Sequence, residues 1–264
     1  MSSAVARGTL REMSAESEVL ALERAAFEAW QAEEVAALGP WRLRFMHGVT
    51  GRANSVWAAS GEPPQGFARA TDEVEAWYAA RGLAPTFQLS PISDARLDAL
   101  LEARDYARLD PVSVQVADAA RVGELLAGRD GVRCESALDD AWFELSGTRG
   151  RFHGAEIHVY RAFLERIAPR AGFALARDER GAAAAVGLTI VAPPYAGVFS
   201  MLTLPEQRRR GLAAALLGEI ARFALARGAT RLYLQVEMQN AGALTLYARA
   251  GFTESHRYWY RRRA

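Results

Sequence analysis

The chain has 264 residues, half of them hydrophobic, with 32 basic and 31 acidic side chains, a formal net charge of +1 and one cysteine. The apolar half excludes wholesale disorder and the balanced charge argues against a generic nucleic-acid binder; lone Cys134 rules out an intramolecular disulfide or a cysteine-built metal site. The first thirty residues mix Arg, Glu and Ser, and the longest apolar run, 182–192, falls far short of the roughly 20 residues a membrane span needs, so the expectation is a cytoplasmic protein with no membrane or nucleic-acid partner.

In chain order, Leu22, Ala25, Ala26, Ala29 and Leu38 predict a long amphipathic helix over 18–38, stopped at Gly39-Pro40. Trp41, Leu43 and Phe45 alternate with Arg42 and Arg44, which predicts a strand over 41–47. A turn at Gly48 and Gly51, a short strand over 54–58 and a loop over 61–66 follow. Helix 71–80, strand 86–89, helix 96–103 and strand 111–116 complete the first half, and 128–134 reads as a linker or its edge. Beyond it come helices 139–145 and 159–167, strands 173–177 and 182–191, and a break at Pro193-Pro194. Strand 198–204, helix 212–227, strand 231–237, helix 241–250 and strand 253–261 close the chain. Trp41, Trp57 and Trp77 read as core or rim aromatics, and the tail from Arg261 to Arg263 as a solvated terminus.

The halves carry a faint repeat. Arg81-Gly82 and Arg227-Gly228 stand 146 residues apart (227 minus 81), and that offset also pairs Phe87 with Tyr233, Asp94 with Asn240, Leu100 with Leu246 and Tyr106 with Phe252. Identities are few; the order helix–strand–helix–strand, twice, is the stronger sign.

Chemistry concentrates after Met201, Leu202 and Thr203. A strand ends at Pro205, Arg208, Arg209 and Arg210 make a basic turn, and Gly211 lies where a helix opens, with Leu212, Leu216, Ile220 and Phe223 on one face. Such a turn brings together orphan N–H groups, the positive end of a helix dipole and guanidinium groups, an anion cradle suited to a pyrophosphate. Gly211 lets the backbone approach the ligand, and small Ala213 and Ala214 leave the first helical turn open.

Arg208-x-x-Gly211-x-Ala213 resembles the acetyl-CoA signature of the GCN5-related N-acetyltransferases (GNATs), Gln/Arg-x-x-Gly-x-Gly/Ala. Asn240, Ala243 and Leu246-Tyr247, followed by Gly251-Phe252, resemble the family's second hallmark, and the two motifs stand in the right order. The resemblance is firm over 173–260 and weak before 133. It implies an α/β protein of two GNAT-like domains, each a mixed, mostly antiparallel sheet flanked by helices. Residues 1–130 would form a degenerate copy without a coenzyme signature, where Leu101 takes the place of Tyr247, and 131–264 the catalytic domain.

The same resemblance implies acetyl-CoA as co-substrate and direct attack by a primary amine on the thioester, with no metal. The main chain of Met201, Leu202 and Thr203 would pair with the pantetheine, Arg208, Arg209, Arg210, Gly211, Leu212, Ala213 and Ala214 would enclose the pyrophosphate, and Asn240 would contact the pantetheine. Tyr247 would protonate the departing thiolate, a role its ordinary pKa near 10 permits. Many members carry Glu five residues before the Asn. Gln235 stands there, and Glu237, two residues along on the same strand face, is the candidate base, directly or through a water. The acceptor would be a small molecule or peptide and the protein a monomer or homodimer. A non-catalytic acyl-CoA-binding or sensing protein is the alternative, favoured by Gln235 and opposed by Tyr247; acyl-chain preference stays open. His153, Glu156 and His158 do not match a helical zinc spacing and are set aside.

Overall fold

The computed structural model describes residues 2–126, 128 and 130–263, with side chains described from residue 16 onward except at 148–151. Contacts divide the chain into two compact units, Met1–Ser113 with Ser255–Ala264, and Val114–Glu254.

The chain runs α1 (Ser2–Ala29), β1 (Glu34–Leu38), β2 (Trp41–Phe45), β3 (Val56–Trp57), α2 (Phe67–Ala79), β4 (Thr86–Leu89), α3 (Ala95–Ala103) and β5 (Ala107–Arg108). It continues with β6 (Val112–Asp118), α4 (Ala119–Leu125), β7 (Val132–Glu135), α5 (Asp140–Phe143), a π-helical segment Glu144–Arg151 and α6 (Ala155–Ile167). Then follow β8 (Ala171–Arg177), β9 (Ala183–Ala192), β10 (Tyr195–Thr203), α7 (Leu212–Leu225), β11 (Arg231–Glu237), α8 (Ala241–Arg249) and β12 (Thr253–Arg262).

Strand order is β1-β2-β3-β4-β12 in the first unit and β7-β8-β9-β10-β11-β6 in the second. Pairing is antiparallel at β1·β2, β2·β3, β4·β12, β7·β8, β8·β9 and β9·β10, and parallel at β3·β4 and β10·β11. These are mixed sheets flanked by helices, an α/β architecture.

Three sequence expectations need correction. The helix expected over 18–38 ends at Ala29, and Glu34–Leu38 is a strand. A short apolar run such as Val35 to Leu38 fits either period. The choice falls to a hairpin ladder from Leu38↔Trp41 to Glu34↔Phe45, turned by Gly39 at φ +58°. The supposed linker contains β7, paired with β8 from Val132↔Ala176 to Glu135↔Phe173, while residue 129 lies outside the described residues. The unforeseen helix α4 was signalled by Asp118, whose carboxylate caps it by accepting from Arg121 N at 2.9 Å. Finally, Arg261 is no solvated tail. It is 5% exposed within β12, donates to Asp98 Oδ1 at 2.7 Å and to Tyr106 O at 3.1 Å, and holds the Asp98 carboxyl below its ordinary range.

Several backbone features recur between the halves. At the 146-residue offset, Leu83 N donates to Tyr78 O as Ala229 N does to Ala224 O, and Tyr106 N to Leu101 O as Phe252 N does to Tyr247 O. Asp94 and Asn240 both cap helices, and Asp105 (φ +62°) corresponds to Gly251 (φ +90°). In both repeats a helix joins the two strands of a parallel pair, α2 between β3 and β4 and α7 between β10 and β11. The chain does not divide at 130/131. β12, which follows the second repeat's α8, completes the first unit's sheet, and β6, which follows the first repeat, lies beside β11 in the second. Each repeat thus gives its last strand to the other unit, and a cut at one sequence position cannot separate them.

Candidate functional site

In the second unit, Leu216, Leu217, Ile220, Ala221 and Ala224 of α7 share one hydrophobic core with Leu232, Leu234 and Val236 of β11. Strand alternation turns Tyr233, Gln235 and Glu237 to the opposite face, where the Tyr233 ring meets Phe199 edge-on at 6.0 Å. That face also receives Trp142 of α5, which donates through Nε1 to Gly187 O at 3.0 Å, and Tyr160 of α6.

The parallel ladder of β10 and β11 runs from Tyr195↔Arg231 to Val198↔Leu234 and stops, although both strands continue. On its other side β10 stays with β9 through an irregularity. Phe199 pairs with Leu188 and Leu202 with Val186, so Ser200 and Met201 together oppose Gly187, a β-bulge with Ser200 at φ +48°. The bulge keeps Phe199 and Ser200 on the same face, and Ser200 Oγ lies 3.3 Å from the Tyr160 hydroxyl, itself 2.9 Å from Ser146 Oγ. Beyond Val198 and Leu234, then, no rung joins the two strands, and residues 199–203 and 235–237 flank a notch in the ladder.

The β10 wall leads through a 3-10 turn, Pro205–Gln207, into the basic segment. Arg209 sits at φ +62° and Gly211 at φ +78°; Gly211 serves as N-cap of α7 without side-chain capping, so nothing from its own cap covers the N–H groups of the first helical turn. Arg208, Arg209, Arg210 and Gly211 are exposed and Leu212 is buried under the turn. Arg208 Nε reaches Thr203 O at 3.4 Å, and Arg210 is held by Gln207 Oε1 at 2.8 Å and Glu179 Oε1 at 3.1 Å. Ala213 and Ala214 are half-buried and bring no bulk. The turn, the strand end and the notch are continuous along the chain.

Tyr247 on α8 is 7% exposed, its ring 5.8 Å from that of Phe252, and its hydroxyl has no hydrogen-bond partner among the described residues. Burial pushes the phenol up to about 12, so it keeps its proton throughout the neutral range. By linkage the unfolded phenol, near 10, ionises first as pH rises, and the stability its burial contributes declines between pH about 10 and 12. Asn240 Oδ1 accepts from Ala243 N at 3.1 Å as the N-cap of α8, leaving its amide nitrogen for a ligand. We expect Asn240→Ala to cost about 1 kcal/mol of stability, read by chemical denaturation, whatever its effect on ligand binding. Glu237 ends β11 exposed to solvent, whereas Gln235 is half-buried with Oε1 inaccessible and unpartnered. Sequence reasoning treated Gln235 only as a departure from a pattern; burial of its oxygen could not be read from the sequence.

The first unit shares the uncapped glycine start, with Gly66 at φ +82° before α2, but differs in what surrounds it. Before α2 stand Pro63 and Pro64, which have no N–H to offer, and no arginine run. Past the ends of β3 and β4 the strands are tied together: Ser93 Oγ donates to Ala58 O at 2.6 Å and accepts from Ser90 N at 3.0 Å. Among the described residues no group of three His, Cys, Asp or Glu side chains converges to hold a metal. His153 and His158 are exposed.

Comparison with known proteins fits this geometry. The family described as "Probable histone acetyltransferase Rv0428c C-terminal" matches residues 16–261. The uncharacterized N-acetyltransferase YobR of Bacillus subtilis is 28% identical over 248 residues, covering 91% of this chain and 96% of its own. A GCN5-related N-acetyltransferase from Kribbella flavida superposes with a TM-score of 0.67 at 16% identity, over 95% of this chain and 94% of that one. A tandem GNAT protein from the clavulanic acid biosynthesis pathway gives 0.58 at 16% identity, over 74% and 69%. The match over nearly the whole chain places this protein in the Rv0428c C-terminal family, and its fold is that of the GCN5-related N-acetyltransferase structures.

Proposed function

We propose that the second unit is an acetyl-CoA-dependent N-acetyltransferase acting on a primary amine of a small molecule or peptide in the cytoplasm. The observation that carries this reading is the end of the β10·β11 ladder at Val198 and Leu234, with the β10 wall running into the uncapped, arginine-flanked start of α7. A pyrophosphate would rest on the N–H groups of residues 208–214 beside Arg208, Arg209 and Arg210. The pantetheine would extend back along Met201, Leu202 and Thr203, with Asn240 Nδ2 in reach, so the acyl group would lie at the closed end of the notch. Backbone N–H groups there would stabilise the oxyanion, Tyr247 would protonate the leaving sulfur, and Glu237, open to solvent, would carry the amine's proton away.

The first unit would be a GNAT-like copy without a coenzyme site, because Ser93 bridges its strands and no arginine run precedes its Gly66 helix start. One acetyl-CoA should therefore bind per chain, and titration to two equivalent sites would contradict this.

Gly211→Val is the direct test of the cradle. At φ +78° a β-branched side chain is strained and would obstruct the phosphate approach. A folded variant should lose at least about tenfold in acetyl-CoA affinity, roughly 1.4 kcal/mol. Unchanged affinity by calorimetry would remove the site assignment. Gln235 in place of a carboxylate favours a second reading, a binding or sensing module without turnover. Release of free CoA thiol with a panel of amines separates the two.

A further inference from the structure

Gln235 Oε1 is a buried acceptor without a donor, on the first β11 residue past the last β10·β11 pair. Burying an amide oxygen unmatched carries a desolvation penalty that a ligand N–H or a water would recover. Its side chain occupies the face carrying Tyr233 and Glu237 of β11, Ser200 of β10 and the Tyr160 hydroxyl from α6. Of these groups only Glu237 is a carboxylate, and it is exposed at the strand end.

Resting on the reading above, we propose that Gln235 positions the acceptor nitrogen by accepting one of its N–H bonds, and that the acceptors are weakly basic amines, the α-amino groups of peptides, in preference to lysine ε-amino groups. An amide oxygen is far too weak a base to hold a proton from an ammonium ion, so the nucleophile must reach the closed end of the notch already neutral. At pH 7 an α-amine with a pKa near 7.7–8.0 is neutral on the order of 10²–10³ times more often than an ε-amine near 10.4. With one N–H on Gln235 Oε1, the nitrogen lone pair attacks the thioester carbon. The C–N bond forms, the nitrogen gives a proton to solvent past Glu237, the C–S bond breaks, and the sulfur takes the Tyr247 proton, which solvent replaces. The products are one amide and one CoA thiol.

The experiment uses the full chain, acetyl-CoA and two peptides: one lysine-free with a free N-terminal Ala, the other N-terminally acetylated with a single Lys. Calorimetric binding of acetyl-CoA to the wild type is established first; its failure would bring down the coenzyme-site reading, and this inference with it. Given binding, kcat/KM at pH 7 should favour the free N-terminus by about 100-fold and should rise with pH along that amine's own ionisation. Gln235→Glu places a carboxylate where the ammonium arrives. The lysine peptide should then improve, narrowing the preference at least about tenfold, and its pH profile should acquire a second acid limb, set by the new carboxylate, beside the amine's own. Equal use of both peptides by the wild type would overturn the proposal, as would a Gln235→Glu profile identical to the wild type's. An enzyme that binds acetyl-CoA yet acetylates neither peptide would overturn it equally.

Discussion

Tyr247→Phe should lower kcat by about 10²–10⁴ while leaving acetyl-CoA affinity and thermal stability nearly unchanged, the magnitude expected for loss of a positioned general acid. The ring is buried against Phe252 and its hydroxyl bonds no described residue, so Phe preserves the packing and removes only the group free to meet a ligand. Because burial holds the phenol near 12, the wild-type rate should show no loss from its ionisation below pH about 10. An acyl donor whose leaving thiol is more acidic should recover part of the loss, since that thiolate departs with less help. Wild-type turnover of acetyl-CoA by Tyr247→Phe, with chemistry shown to limit the rate, would make Tyr247 a packing residue.

The strand exchange predicts an equally large effect on folding. A chain beginning at Arg133 keeps both sequence motifs but loses β6 and α4, whose Val114, Val116, Ala117, Ala119 and Val122 are buried. Burial of each Val is worth roughly 1.5–3 kcal/mol, so three of them approach the whole net stability of about 5–15 kcal/mol that a domain has to lose. β11 would also lose a neighbouring strand, and Tyr258 and Arg261 of β12, buried in the first unit, would lose their surroundings. We expect this fragment to be aggregated or unfolded by circular dichroism and gel filtration. A chain spanning Val114–Glu254 should instead show a cooperative thermal transition, since it contains the whole second unit. Native-like unfolding of the Arg133 fragment would show that β6 is dispensable.

The sequence alone determined the elements whose signals are local. The strand over Arg231–Glu237 and the start of α7 at Leu212 follow from side-chain period and from Gly211, because a left-handed residue before an apolar helical stripe specifies its own geometry. The arginine turn and the Asn240 to Tyr247 motif were likewise legible, being short segments whose chemistry lies in consecutive residues. Tertiary structure decided what depends on partners distant in the chain. Val35 to Leu38 became a strand because β2 was there to pair with it. The unit boundaries moved because a strand joins whichever sheet edge satisfies its N–H and C=O groups, and β12 found that edge beside β4 rather than beside its own repeat. Gln235 shows the same division at the site: the sequence supplied an amide where relatives carry a carboxylate, but only the folded strand, past the last rung of its ladder, left that oxygen buried and without a donor.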